Sequence, residues 1–152
     1  MFLGLLTISM ATLLFELSLT KLFSVIIFSN YAFMIISTAL FGFGLSGVFS
    51  SLFSGIMKRL ATPGGLIGYC LAFGVTVLGA FFVINQVPLQ LAEIHKPLQM
   101  LYLAVYYLAL IIPFFFSGMA IVTVFFLYTQ RISTLYFFDL AGAALGCLLI
   151  IP

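Results

Sequence analysis

Charge is what this sequence has least of. Only 5% of its 152 residues are Asp, Glu, Lys or Arg, against about a quarter in an ordinary soluble domain. Charge this sparse cannot cover the surface of a water-soluble globule, so that class is excluded. Tryptophan is missing, and histidine occurs once, at His95. A lone histidine builds neither a haem site nor a histidine-based metal site, and no second His or Cys stands near it to help. The two cysteines, Cys70 and Cys147, fall inside apolar runs. There they read as small packing residues rather than a disulfide or metal framework. The net charge of +2 is too small to argue for nucleic acid, and no cluster of Lys and Arg forms a polybasic lipid patch. "GFGLSG" (Gly42–Gly47) resembles a glycine fingerprint, but it lies inside an apolar run with no strand before it, so it is no nucleotide cradle. A Ser-His-Asp or Cys-His set cannot be assembled around one histidine at a membrane surface. No cofactor, metal site or catalytic residue is expected.

What is present is apolar. Hydrophobic residues make up 65% of the chain, and mean hydropathy is +1.39. The runs are long and show no period-two alternation. Backbone amides in lipid must be bonded within the spanning structure, which leaves helices or a closed barrel. The expected fold is therefore all-α: a polytopic membrane bundle of about five transmembrane helices, each needing roughly 20 residues. The spans are placed at about 2–28, 32–56, 66–84, 98–128 and 134–151, within a single transmembrane domain over 1–152. "MKRLATPGG" and "NQVPLQLAEIHKP" are the polar connections after the second and third spans, the first with Pro-Gly turn chemistry. Pro113 is expected to bend the fourth span, because it removes an amide donor. The N-terminus lacks a basic leader and Glu16 interrupts its apolar run, so the first span reads as retained rather than as a cleaved signal peptide. The chain stops at Pro152 without a polar exit segment, as expected of a fragment or of a last helix capped by a partner.

Orientation follows from basic residues in short loops. Lys58, Arg59 and Arg131 lie on one side, and Lys96, beside Glu93, on the other. This places the N-terminus in the cytoplasm.

Ionisable residues inside a membrane are costly and mark functional candidates. Glu16, Lys21 and Asp139 qualify, and Arg131 stands two turns before Asp139. At about 100° per residue, Ser9, Thr12, Glu16 and Thr20 form one narrow stripe that must face protein or water. Lys21 is five positions beyond Glu16, roughly 140° around the helix, so the two are not neighbours. Lys21 is expected to snorkel outward to the nearer headgroups. Asp139, Gly142 and Gly146 share a face, and Gly142 and Gly146 form a G-x-x-x-G pair that admits a second backbone. Gly47, Ser51 and Gly55 form a similar seam on the second span. The expected topology puts Glu16 toward the external side and Asp139 toward the cytoplasmic side, which argues against a direct pairing of the two acids.

Two stretches resemble membrane-bound spermidine synthase-like proteins. "FELSLTKLFSVIIFSNYAFMIISTALFGFGLSG" (Phe15–Gly47) is similar to the first helices of that family, through Glu16, Lys21, Tyr31, Ala32, Gly42, Gly44 and Gly47, with Lys21 where the family more often has Arg. "RISTLYFFDLAGAALGCLL" (Arg131–Leu149) is similar to a second family stretch, through Tyr136, Asp139, Gly142, Ala143 and Gly146. The resemblance implies a membrane region that precedes a soluble aminopropyltransferase-like domain binding an adenosylmethionine-type cofactor and a polyamine. That soluble domain is absent from this sequence, so the resemblance does not bring the enzyme activity with it.

Two functions are expected on these grounds. The first is a non-catalytic integral membrane module of the bacterial inner membrane, in contact with the lipid bilayer. It would anchor or join a larger complex, through a protein partner or a C-terminal domain outside this sequence, with Glu16 and Asp139 as polar struts. The second is a transporter-like core for a small cation or polyamine, with Glu16 and Asp139 as counter-charges. A weaker third makes the chain the membrane half of a split synthase.

Overall fold

The computed structural model describes residues 2–27, 32–55, 59, 61–86 and 97–150. Lys58, Glu93, His95 and Lys96 lie outside the described residues, as does Tyr31. Five long helices account for nearly all of the rest: α1 (Phe2–Ile27), α2 (Ala32–Leu52), α3 (Pro63–Gln86), α4 (Pro97–Leu127) and α5 (Ile132–Ile150), with a 3-10 turn at Thr129–Arg131 before α5. Among the described residues there is no strand. Each of the five helices is long and apolar enough to cross a membrane. The chain is an all-α bundle, and its composition and helix lengths fit an integral membrane protein.

Local chemistry moves some boundaries from their expected places. The third helix begins at Pro63 rather than Leu66. Thr62 acts as its N-cap, accepting a hydrogen bond from the Gly65 amide at its side-chain oxygen (3.1 Å). Pro63 then occupies the first helical position, where its missing N–H costs nothing. Pro-Gly-Gly thus opens the helix instead of forming a turn. Pro113 is buried within α4, which runs unbroken over 31 residues.

The pairings between helices set their directions. α1 packs chiefly against α5, and the two run parallel. The Phe2 ring stacks on Phe138 at 5.2 Å, Gly142 abuts the Leu6 backbone, and a Cβ placed on Gly146 would lie 2.9 Å from the Met10 carbonyl. α4 packs chiefly against α2 and α3. α2 runs parallel to α4, with Gly42 against Phe114 and Gly118 against Ser46. α1 crosses α4 antiparallel, through Phe15–Phe114 and Phe23–Tyr106 ring contacts at 5.4 and 6.2 Å. The helices therefore alternate in direction, and Arg59 and Arg131 stand at the end of the bundle where α1 begins.

The close contacts use small residues, because only a missing side chain lets backbones approach this near. Gly142 and Gly146 are both buried on the face they share, as their spacing requires. The second seam lies elsewhere than expected. Gly47, Ser51 and Gly55 are exposed, and nothing lies within 4 Å of a Cβ added at Gly47 or Gly55. The inward face of α2 instead carries Gly42, Ser46 and Ser50, all buried. A Cβ on Gly42 would sit 2.6 Å from Phe114 Cβ and 3.0 Å from the Ile111 carbonyl. One residue is about 100° of helix, so Ser46 and Gly47 face different surroundings. Cys70 and Cys147 are likewise free and exposed rather than packed.

These contacts predict an ordered substitution series. Gly142→Leu overpacks a backbone contact and Gly118→Leu one with the Ser46 and Phe43 side chains, and each should cost on the order of 1–3 kcal/mol or more, whereas Gly47→Leu should be close to neutral. SDS-induced unfolding in mixed micelles measures all three; equal losses at Gly47 and Gly142 would refute the placement of the seams.

Candidate functional site

The polar stripe of α1 faces inward as its spacing requires. Ser9 and Thr12 are 5% and 3% exposed. From α5, Asp139 turns toward the same place, and the Ser9 hydroxyl donates to its Oδ1 oxygen. The carboxylate reaches α1 because Gly142, on the same face, lets the two backbones come together. From α4, Ser117, which is fully buried, hydrogen-bonds to Thr12. The Thr12 hydroxyl proton goes to the Ile8 carbonyl (2.7 Å). Thr12 is then left as acceptor toward Ser117, since a hydroxyl has a single proton to give. Thr20 donates to the Glu16 carbonyl rather than to its carboxylate (2.9 Å).

Glu16 differs from the other polar residues on this stripe. It is half-buried, and no described side chain donates to its carboxylate. It opens instead onto a cavity of about 270 Å³ lined also by Ser9, Thr12 and Asp139, with Phe43 and Ile121 among the apolar walls. That space is open to the outer surface of the bundle rather than enclosed. Both carboxylates reach one cavity although they start from different heights. The difference in depth remains: Asp139 meets Ser9, whereas Glu16 lies two turns further along the same stripe. The two acids still do not bond to each other.

Lys21 points away from Glu16, as its five-residue spacing implies, but it does not reach freely outward. Its Nζ donates to the carbonyl of Ile150, the last residue of α5, at 2.6 Å. Arg131 ends the 3-10 turn and is exposed; it makes no ion pair with Asp139. Among the described residues no group of three or more His, Cys, Asp and Glu side chains comes together. The site offers two carboxylates and two hydroxyls, all hard oxygen donors suited to ammonium groups or small hard cations rather than soft metals.

Two features of the site escape the sequence stripe. Ser117 and Gly118 lie in "PFFFSGMA" (Pro113–Ala120), and a hydroxyl beside a glycine one turn after a proline is the signal that marks this part of α4. Lys21's partner is a backbone carbonyl, which no side-chain pattern announces.

Comparison with models of protein families, with curated proteins and with solved structures finds no match to this chain.

The two hydroxyl contacts are testable by double-mutant cycles. The Ser9→Ala and Asp139→Ala pair should couple by roughly 0.6–2 kcal/mol, the range for hydrogen bonds between helices in membranes. The Thr12→Val and Ser117→Ala pair should do the same. Coupling near zero in both cycles, read from unfolding in mixed micelles, would remove these bonds from the account.

Proposed function

We propose that this chain is a non-catalytic membrane module that anchors or joins a larger assembly, with its N-terminus in the cytoplasm of a bacterial inner membrane. The observation that carries this reading is that the bundle's buried polar atoms are consumed internally: among the described residues no buried side-chain nitrogen or oxygen lacks a partner. Asp139 and Ser9 strap α5 to α1, and Thr12 and Ser117 strap α1 to α4. Polar groups spent in this way hold helices in register rather than doing chemistry on a substrate. The likeness of Phe15–Gly47 and Arg131–Leu149 to spermidine synthase-like proteins supports a larger polypeptide or complex that includes a soluble synthase-like domain. Arg59 and Arg131 at one end of the bundle support the orientation.

One observation favours a second reading. Glu16 has no partner within the described bundle and shares a cavity with Asp139. Two acids around one intramembrane cavity suit a small cation or a polyamine.

Purification from native membranes in mild detergent, with native mass measurement, tests the module reading. It predicts a particle larger than the 16.7 kDa chain that survives Glu16→Gln and Asp139→Asn unchanged, with no cation uptake in vesicles to lose. A particle of 16.7 kDa whose cation uptake is abolished by those two substitutions, with its fold intact, would sink it in favour of the second.

A further inference from the structure

The cavity that holds Glu16 has an outer side. α2 and α5 both pack on α1, and the opening between them is flanked by Phe43 of α2 and Ala143 of α5. One turn further along each helix, on the same face, stand Gly47 and Cys147, both exposed. Nothing lies within 4 Å of a Cβ added at Gly47. The two small residues also sit at one depth. Gly146, beside Cys147, abuts Met10, while Ser46, beside Gly47, abuts Gly118, whose neighbour Ser117 bonds to Thr12. Both rims of the opening are therefore lowest at the level of Met10 to Thr12. The result is a furrow on the lipid-facing surface, with small residues on its rims and the polar stripe of α1 in its floor.

Glu16 lies one turn beyond Thr12 in that floor, roughly 21 Å along α1 from Phe2 at 1.5 Å per residue. At such a depth no water is at hand, and a polar group without a hydrogen-bond partner is costly. No described side chain donates to this carboxylate. The described cations are committed or distant: Lys21 donates to the Ile150 carbonyl, and Arg59 and Arg131 stand at the end where α1 begins. Asp139, in the same cavity, shows what meets a carboxylate in this bundle, for its donor is the Ser9 hydroxyl. A neutral donor is also cheaper to carry in a membrane span than Lys or Arg.

We propose that the furrow between α2 and α5 receives a transmembrane helix of a partner protein, and that a carboxamide or hydroxyl side chain of that helix bonds to Glu16. The small rims at Gly47 and Cys147 let the incoming helix come close, as glycine does at the contacts inside the bundle. The inference rests on the module reading and gives that module its docking face and the chemistry of its partner.

Native mass measurement of the full chain, purified from native membranes in mild detergent, tests it through three variants. Wild type and Glu16→Gln should give the same particle, larger than 16.7 kDa, because a carboxamide still accepts a hydrogen bond. Glu16→Leu and Gly47→Leu should each lower the occupancy of one and the same subunit by about tenfold, as loss of a contact between helices does. Unfolding in mixed micelles should leave both variants as stable as wild type, which separates lost docking from a lost fold. A photoreactive label on Cys147, with Cys70→Ser, should attach to an apolar segment of that subunit within two turns of an Asn, Gln, Ser or Thr. A larger particle that keeps every subunit in Glu16→Leu and Gly47→Leu overturns the inference and leaves the module reading standing. Loss of the subunit in Glu16→Gln as well overturns the neutral donor in favour of a cationic one. A wild-type particle that is a whole multiple of the chain overturns the inference in favour of a second copy, and one of 16.7 kDa overturns it together with the module reading.

Discussion

The architecture depends on how closely α5 approaches α1. At Gly142 and Gly146 there is no side chain to hold the backbones apart, and the Leu6 and Met10 carbonyls fill the space. Within hydrocarbon, helices gain little from hiding apolar surface from one another, because lipid tails are as apolar as leucine. Close van der Waals contact and interhelical hydrogen bonds must hold them instead. The approach supplies both. It brings Asp139 within reach of Ser9, so a carboxylate that would be costly in lipid is turned into a link between helices. It also brings the Ile150 carbonyl of α5 to Lys21, whose ammonium donates to it. One face of one helix, Asp139-x-x-Gly142-x-x-x-Gly146, thus determines the position of its neighbour along most of its length.

The second tight contact, between α2 and α4, follows the same logic with different residues. Gly42 meets the backbone of α4 beside Pro113, and Gly118 takes in Ser46. Ser50 then donates to the Ser46 carbonyl (2.7 Å) and lies 3.7 Å from the Met119 sulfur. Where the two tight pairs meet, side chains rather than backbones fill the space, with Phe23 and Phe114 in one buried cluster and Leu5 and Leu135 in another. That is where the cavity lies and where Glu16, alone of the stripe, keeps a carboxylate without a partner in the described bundle. The polar site is a product of packing: it occupies the space that two well-fitted pairs leave between them.

What could be read from the residues alone depended on how much contrast each helix carries. α1 mixes Ser, Thr and Glu with Leu and Phe, so its inward stripe stood out. α5 carries one carboxylate and two glycines at helical spacing, so its inward face stood out too. α2 has small residues on every side, with Gly42, Gly44, Ser46, Gly47, Ser50 and Ser51 all within it and Gly55 just beyond its end. Nothing in that pattern selects one face, and the face chosen, Gly47–Ser51–Gly55, is the one turned outward. Helix existence was legible from hydropathy, whereas the start of α3 depended on a Thr cap and a Pro at the first turn. The meeting of Glu16 and Asp139 in one cavity was not legible, because depth along a helix does not say how far a side chain and a void extend between neighbours.

The central claim is that α1 and α5 lie backbone to backbone at Gly142. Solid-state NMR of the uniformly carbon-labelled protein in lipid bilayers tests it directly. The account predicts a through-space cross-peak between Gly142 Cα and the Leu6 carbonyl, and none linking Gly47 Cα to another helix. A Gly142 Cα that shows contacts only to lipid acyl chains would contradict it.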